Sequence, residues 1–445
     1  MRLTAIEMAL RKLTAPRYRL PPTLLSGICL AVLSIPPQAA MAEGAPWYGS
    51  LSGKLRVVYF DREFATDNKS YRQGALGLEV DYRSDSLWDV LGVDISLYQT
   101  RELFSNGGRR NDILGLDNNG HYDSASSKLG QAALRLKMGE HLKIKAGRQK
   151  LQTLMLSSAT SRAIPNTFSG VRVDGRFGDI DIYAIQVNRW SPRHDDHFES
   201  FHTDLGELGD IDYIRIAGGS YSRGPFSVQL EQLTARNYLR KQGLVLGYKK
   251  SLGEDHLSLK GGFFTSRDDG NLFLPGAESG DVDTGTADND AHVYYLDLSW
   301  QHNLLTLGAA LTWVRDDIWI EDNFSGDHGT TPFPTRSTIG PELTGKNENA
   351  WQLRAGYDWS NWLPGLTTSL SHTRGENAEN TFDKSLGVAD EWFTELDFRW
   401  AVPAMKGLSL RWLASDYHSS ERGSVAAIKE DDFDHRFYLD YSFQF

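Results

Sequence analysis

From Gly49 to its last residue the chain repeats one unit: about ten residues of alternating apolar and polar side chains, then a tight turn or a long polar loop. Examples are ALGLEVDY (75–82), VDISLY (93–98), ALRLKM (133–138), YYLDLSW (294–300) and WFTELDFRW (392–400). The last stretch, HRFYLDYSFQF, places Phe437, Leu439, Tyr441, Phe443 and Phe445 on one side and Arg436, Tyr438, Asp440, Ser442 and Gln444 on the other. A period of two turns successive side chains to opposite faces of a strand, and helical periodicity is almost absent. The chain is therefore all-β.

The connectors choose among all-β architectures. Short ones such as MGEH (138–141), KSLGED (250–255), WQHN (300–303), SNWLPG (360–365) and PAMKG (403–407) suit hairpin turns. They alternate with long polar ones, among them PGAESGDVDTGTADNDAH (275–292) and the Asn- and Gly-rich run before Ser127. A soluble sandwich or propeller would have to bury tryptophans while giving the charged face to solvent. A transmembrane antiparallel β-barrel needs this pattern: short turns on one side, long loops on the other, an apolar band toward lipid and aromatic girdles at its edges. Trp300, Trp313, Trp351, Tyr357, Trp359, Trp392, Trp400 and Trp412 stand where such girdles belong. At roughly 22 residues per strand and connector, the chain makes about 18 strands.

The first 42 residues differ. A basic region (Arg2, Arg11, Lys12, Arg17, Arg19) precedes the apolar LLSGICLAVLSI and then Ala40-Met41-Ala42, the order of a secretory signal peptide. The apolar core is too short to span a bilayer as a mature helix. The long basic region also admits a start at Met8. Cys29, the sole cysteine, follows Ile28 rather than a small residue, so lipidation is not expected. Cleavage after Ala42 leaves residues 43–445 as one barrel without thiols. It also leaves 42 basic against 57 acidic residues, a net charge of −15, which argues against a nucleic-acid partner.

If apolar residues face lipid, parity assigns the lumen. Lys54, Arg56 and Arg62 point inward from the first strand, and Arg135, Lys137, Lys143 and Lys145 from an early hairpin. Arg354, Arg399, Arg411 and Arg436 point inward from the last strands, which adjoin the first when a barrel closes. Glu79, Asp81, Asp94, Glu231, Asp297, Glu395, Asp397 and Asp440 are the lumen acids. A single lumen arginine is commonly just the partner of a neighbouring carboxylate, as Arg399 beside Asp397 or Arg436 beside Asp440. A row of them offers several weak stations for a carboxylate, and transport needs stations that release what they capture. A barrel this wide also needs narrowing. SRAIPNTFSGVRVDG (161–175), with Pro165 interrupting the alternation, is the candidate for a loop folded into the lumen.

These stretches resemble the OprD family of Gram-negative outer-membrane porins over the whole mature chain. LRVVYFDREF is similar to the family's opening strand, RQGALGLEVDYRSD (72–85) to its second. Arg162-x-x-Pro165-x-Thr167-Phe168-x-Gly170 is similar to the inward third-loop motif, and Trp190-Ser191-Pro192-Arg193 and the terminal Phe also fit. The resemblance implies an 18-stranded barrel of the cell outer membrane, monomeric or loosely trimeric, that passes small carboxylate-bearing molecules along a basic ladder to a constriction. By motif, Arg162 is the ladder arginine at the constriction, and Arg56 and Arg62 are ladder members of the first strand. Pro165, Thr167, Phe168 and Gly170 belong to the constriction loop. Arg354, Arg399, Arg411 and Arg436 rest on parity alone. The acidic loops DVDTGTADND (281–290) and RHDDHFES (193–200) leave net ion selectivity open.

The function expected is passive, substrate-selective uptake of organic or aromatic acids or amino acids. It needs no cofactor, metal or energy source. Expected partners are outer-membrane lipid and lipopolysaccharide, and the barrel-assembly machinery through Phe445. The alternatives are a non-selective general porin, an outer-membrane enzyme and an adhesin. For an enzyme, His194-Asp195-Asp196-His197 with His202 is the one cluster of catalytic residue types, and it has no orienting third group or nucleophile motif. DVDTGTADND does not match a calcium-loop spacing.

Overall fold

The computed structural model describes residues 49–65, 70–106, 113–115, 125–194, 196–202, 210–273, 288–320, 332–379, 388–420 and 431–445. The leader expected at 1–42, Asp195 and most of DVDTGTADND lie outside them. Gly49–Gln444 form one compact unit. Its strands are β1 (Gly49–Phe64), β2 (Ser70–Ser84), β3 (Leu91–Ser105), β4 (Ala125–Met138), β5 (Leu142–Gln149), β6 (Thr167–Phe177) and β7 (Ile180–Ser191). Two short strands follow, β8 (Glu199–His202) and β9 (Asp210–Ile211), then β10 (Ile214–Arg223), β11 (Phe226–Ala235), β12 (Leu239–Leu252), β13 (Asp255–Asp268) and β14 (Asp290–His302). The last are β15 (Leu305–Arg315), β16 (Asn349–Asp358), β17 (Leu366–Glu379), β18 (Val388–Ala401), β19 (Leu408–Ser419) and β20 (Asp432–Gln444).

β7 pairs directly with β10, leaving β8 and β9 outside the ring. The other eighteen strands form a closed antiparallel barrel. Closure is made by β1 and β20, from Ser52 opposite Gln444 to Phe64 opposite Asp432. The closing strand is the stretch with the strictest alternation in the sequence. A closed ring leaves no unpaired sheet edge, which a β-structure in hydrocarbon requires.

All connections at one rim are short, and the tightest are set by backbone conformation. Gly139, Gly178, Gly224 and Gly253 take positive φ of 58–65°, and Asn303 does the same at 51°. Gly and Asn tolerate that region, and two-residue hairpins demand it. The chain enters and leaves at this rim. Exposed apolar residues circle the outside, including Leu230, Leu296, Leu353 and Leu370, with Phe226, Trp300, Tyr357 and Trp362 toward the short-turn end. No helix among the described residues is long and apolar enough to cross a membrane.

Two strands lie where the alternation was not read. β6 begins at Thr167, so Thr167, Phe168 and Gly170 stand on a barrel strand, and the interrupted segment is 150–166 rather than 161–175. The strand resumes two residues after Pro165, because Val171 and Val173 already restore the period. β10 escaped notice because Ala217, Gly218, Gly219 and Ser220 give its centre almost no apolar contrast.

Candidate functional site

The segment 150–166 crosses the lumen, as its anchors show. On one side the Arg56 guanidinium donates to the Thr160 and Arg162 carbonyls, and the Tyr438 hydroxyl to the Ser161 carbonyl. On the other, Glu231 of β11 accepts from the Leu154 and Met155 amides at 2.8 Å each, from the Thr153 hydroxyl at 3.1 Å and from the Tyr183 hydroxyl. β11 stands eight places from β1 in the ring of eighteen, nearly opposite. The loop is seated closely on β2: a Cβ at Gly77 would collide with the Ala163 carbonyl. Ala163, Ile164 and Phe60 are buried, so the segment is a packed part of the interior.

A second segment, 332–348 between β15 and β16, also folds inward. Glu395 of β18 accepts from the Ser337 hydroxyl and the Thr338 amide, both at 2.8 Å. Arg436 donates to the Ile339 carbonyl at 3.2 Å. Phe333 packs edge-on against Phe264 and Trp319 in an apolar cluster that also holds Ile216, Val293 and Val314. The sequence did not single out this loop. Its signal was there: Phe333, Ile339 and Leu343 inside a polar stretch are costly to leave in water.

Between the two segments and the wall β18–β19–β20–β1 lies a cavity of about 1060 Å³. Arg56, Arg62, Arg162, Arg399, Arg411 and Arg436 line it, joined by Arg193 and Arg336, while Glu342 and Asp440 are its lining carboxylates. Arg354 is not among them. It sits on β16, four strands from β20, and pairs with Asp297 of β14. Of the constriction residues expected, Pro165 and Thr167 are buried at the end of the crossing segment. Phe168 stacks on Phe201 within the apolar cluster, and Gly170 sits in the β6 register opposite Val187.

The arginines differ in how they are held. Arg56 grips Asp440 with two nitrogens at 2.6 Å each, and Arg62 pairs with Asp432. Arg436 pairs with Asp434 at 2.7 Å, not with Asp440, which stands about 13 Å further along the strand and is held by Arg56. Arg399 and Arg411 share one acid, Asp397, at 2.6 and 2.8 Å. That trio carries a net positive charge, and the Arg399 side chain is 60% exposed to the lumen. Phe60 has Arg162 over its ring at 5.0 Å and Arg436 at 4.3 Å, so aromatic and cationic surface meet at the loop. Arg193 donates to the Ser161 hydroxyl at 2.7 Å, and Arg336 stands 4.0 Å from Glu342.

Elsewhere in the lumen two carboxylates are likewise each shared by two cations. Glu79 is bridged by Lys54 at 2.7 Å and Lys150 at 2.9 Å. Asp94 is bridged by Arg135 at 2.7 Å and Lys145 at 2.8 Å. The loop histidines expected for an enzyme site are superficial: His197, 80% exposed, pairs with Asp196 at 2.6 Å. Among the described residues no group of three or more acids, histidines or cysteines is placed to hold a metal.

Comparison with known proteins gives the following. A family model described as outer membrane porin, OprD family, matches residues 49–445. Among solved structures, OccK9 (OpdG) of Pseudomonas aeruginosa is 23% identical with a TM-score of 0.77, over 89% of this chain and 98% of its own. OpdK of the same organism, solved with vanillate, is 20% identical with a TM-score of 0.74, over 89% and 99%. A BenF-like porin from Pseudomonas fluorescens is 19% identical with a TM-score of 0.75, over 89% and 99%. No curated protein matches the sequence.

Proposed function

Because the chain belongs to the OprD family of outer membrane porins, we propose that it is a passive, substrate-selective channel for small carboxylate-bearing molecules, guided by the arginines of one lumen wall. The observation that carries this reading is the cavity between the two inward loops, where eight arginines face two lining carboxylates. A substrate carboxylate entering there meets guanidinium groups held in place by Asp397, Asp432, Asp434 and Asp440. Those acids neutralise part of the charge. This keeps each station weak, which favours passage over trapping.

From Arg62 to Arg56 the first strand descends about 20 Å, and Arg411 and Arg399 continue toward the short-turn rim. A carboxylate moves along this wall by exchanging one bidentate partner for the next. Tyr438, which lines the cavity beside Arg56 and Arg411, offers an aromatic contact to an aromatic acid. The fold neighbour OpdK was solved with vanillate, an aromatic carboxylate, which agrees with that preference. The family is one of outer membrane porins.

Planar-bilayer recording on purified protein tests the reading. Benzoate is expected to block or permeate the channel at lower concentration than arginine does, and Arg162→Ala to weaken the benzoate effect. A channel that responds to neither solute, and that Arg162→Ala leaves unchanged, overturns it.

A further inference from the structure

The outer face of the barrel carries another arginine cluster, whose members form no ion pair among the described residues. Around the long-loop rim several exposed arginines are matched by carboxylates: Arg240 by Asp269 at 2.8 Å, Arg267 by Asp290 at 2.8 Å, Arg374 by Asp390 at 3.1 Å. On β5, β7 and β10 the matching stops. Arg148, Arg189 and Arg215 make no ion pair among the described residues. Arg215 donates to the neutral Gln186 side chain at 2.7 Å and lies 4.1 Å over the Tyr213 ring. Arg148 donates to the Leu129 carbonyl at 3.4 Å and lies 4.2 Å over the Phe198 ring. The nearby Asp212 is taken by Arg236 at 3.0 Å. Register sets Arg148 opposite Ser169, Ser169 opposite Arg189, and Gln186 opposite Arg215. Arg148 and Arg189 are thus two strands apart, about 10 Å.

Beneath Arg215 the lipid-facing surface is hollow. A groove of about 500 Å³, lined by Val171, Ala184, Arg215, Ala217 and Thr234, continues past Ala217 into one of about 670 Å³ reaching Gly219 and Tyr221. Its floor is the small-residue centre of β10. Ala217 faces Ala184 across the pair, and a Cβ at Gly219 would come within 2.9 Å of the Asp181 carbonyl. Exposed Ile182 and Leu230 form the walls. From Arg215 to Tyr221 the groove runs about 20 Å, the scale of an extended acyl chain.

We propose that this surface binds one phosphorylated glycolipid of the lipopolysaccharide type, its phosphates on Arg148, Arg189 and Arg215 and an acyl chain along Ala217 and Gly219. This rests on reading the long-loop rim as the cell exterior, as the porin reading has it. Guanidinium forks match phosphate oxygens bidentately, and basic pockets at the edge of the apolar band hold lipid headgroups. A lipid without net negative charge would leave three guanidinium groups uncompensated beside hydrocarbon.

Native mass spectrometry of the detergent-purified protein tests it, with the bis-phosphorylated lipid moiety of lipopolysaccharide, its dephosphorylated form and phosphatidylglycerol as probes. The wild type is expected to retain one bis-phosphorylated lipid. Arg189→Ala with Arg215→Ala should hold it at least about tenfold more weakly, and Ala217→Leu, which fills the groove, should also weaken it. Channel conductance in bilayers is expected to match wild type in both variants, which shows that they fold and separates this site from the lumen reading. Equal retention by the double variant, equal binding of the dephosphorylated lipid, or tighter binding of phosphatidylglycerol overturns the proposal.

Discussion

Arg399 divides Asp397 with Arg411, and its side chain is 60% exposed. Arg399→Ala is therefore expected to lower carboxylate flux several-fold with little effect on folding, because a half-exposed ion pair contributes only about 0–1 kcal/mol. Arg436→Ala differs: it leaves the buried Asp434 with only the longer 3.7 Å contact to Arg62 and removes the tie to Ile339, so a drop in thermal stability should accompany any change in flux. Heat-induced unfolding in detergent, read beside single-channel current, separates the two. Parity made Arg56, Arg62, Arg399, Arg411 and Arg436 legible in the sequence, because one alternating face must look inward. It could not reveal their pairing. Asp440 lies four residues from Arg436 along the chain, yet the neighbouring strand brings Arg56 to it instead. Arg354 shows the same limit, since facing inward does not say which wall a strand occupies.

At the scale of elements, each inward loop has one carboxylate among its anchors. Glu231 receives four hydrogen bonds around 153–155 and Tyr183, and Glu395 receives two from 337–338. Hydrogen bonds to a charged acceptor contribute roughly 1.5–3 kcal/mol each when buried. Glu231→Ala should free the crossing segment, raising single-channel conductance and reducing discrimination between solutes. Glu395→Ala should do this more weakly. Gly77→Val, which drives a side chain into the Ala163 carbonyl, should have the same sign as Glu231→Ala; unchanged conductance in all three would contradict the constriction described. The first loop was legible from Pro165 and the break in alternation, although its boundary was set too late. The second was hidden inside a long polar connector, because apolar anchors spaced by Pro, Thr and Gly show no period. β10 was hidden for the opposite reason, having a strand's geometry with scarcely any side chains to display it.

For the whole molecule, closure rests on β1 and β20, the two ends of the sheet in sequence. The last strand must be complete before the ring can shut, so removal of Phe445 is expected to lower the amount of folded protein in outer-membrane fractions. Channels that do insert should keep their unit conductance. The barrel itself was legible because every strand between hydrocarbon and water obeys the same alternation. The distribution of charge over the lumen was not, since it depends on ring order, which gathers arginines on one wall beside a crossing loop. The central claim is that this wall distinguishes a carboxylate from a neutral molecule of the same size. Swelling of proteoliposomes in isotonic benzoate or benzamide measures this directly. Benzoate is predicted to enter several-fold faster through the wild type, with the ratio falling toward one in a variant carrying Arg162→Ala and Arg399→Ala. Equal rates for the two solutes through the wild-type channel would contradict the account.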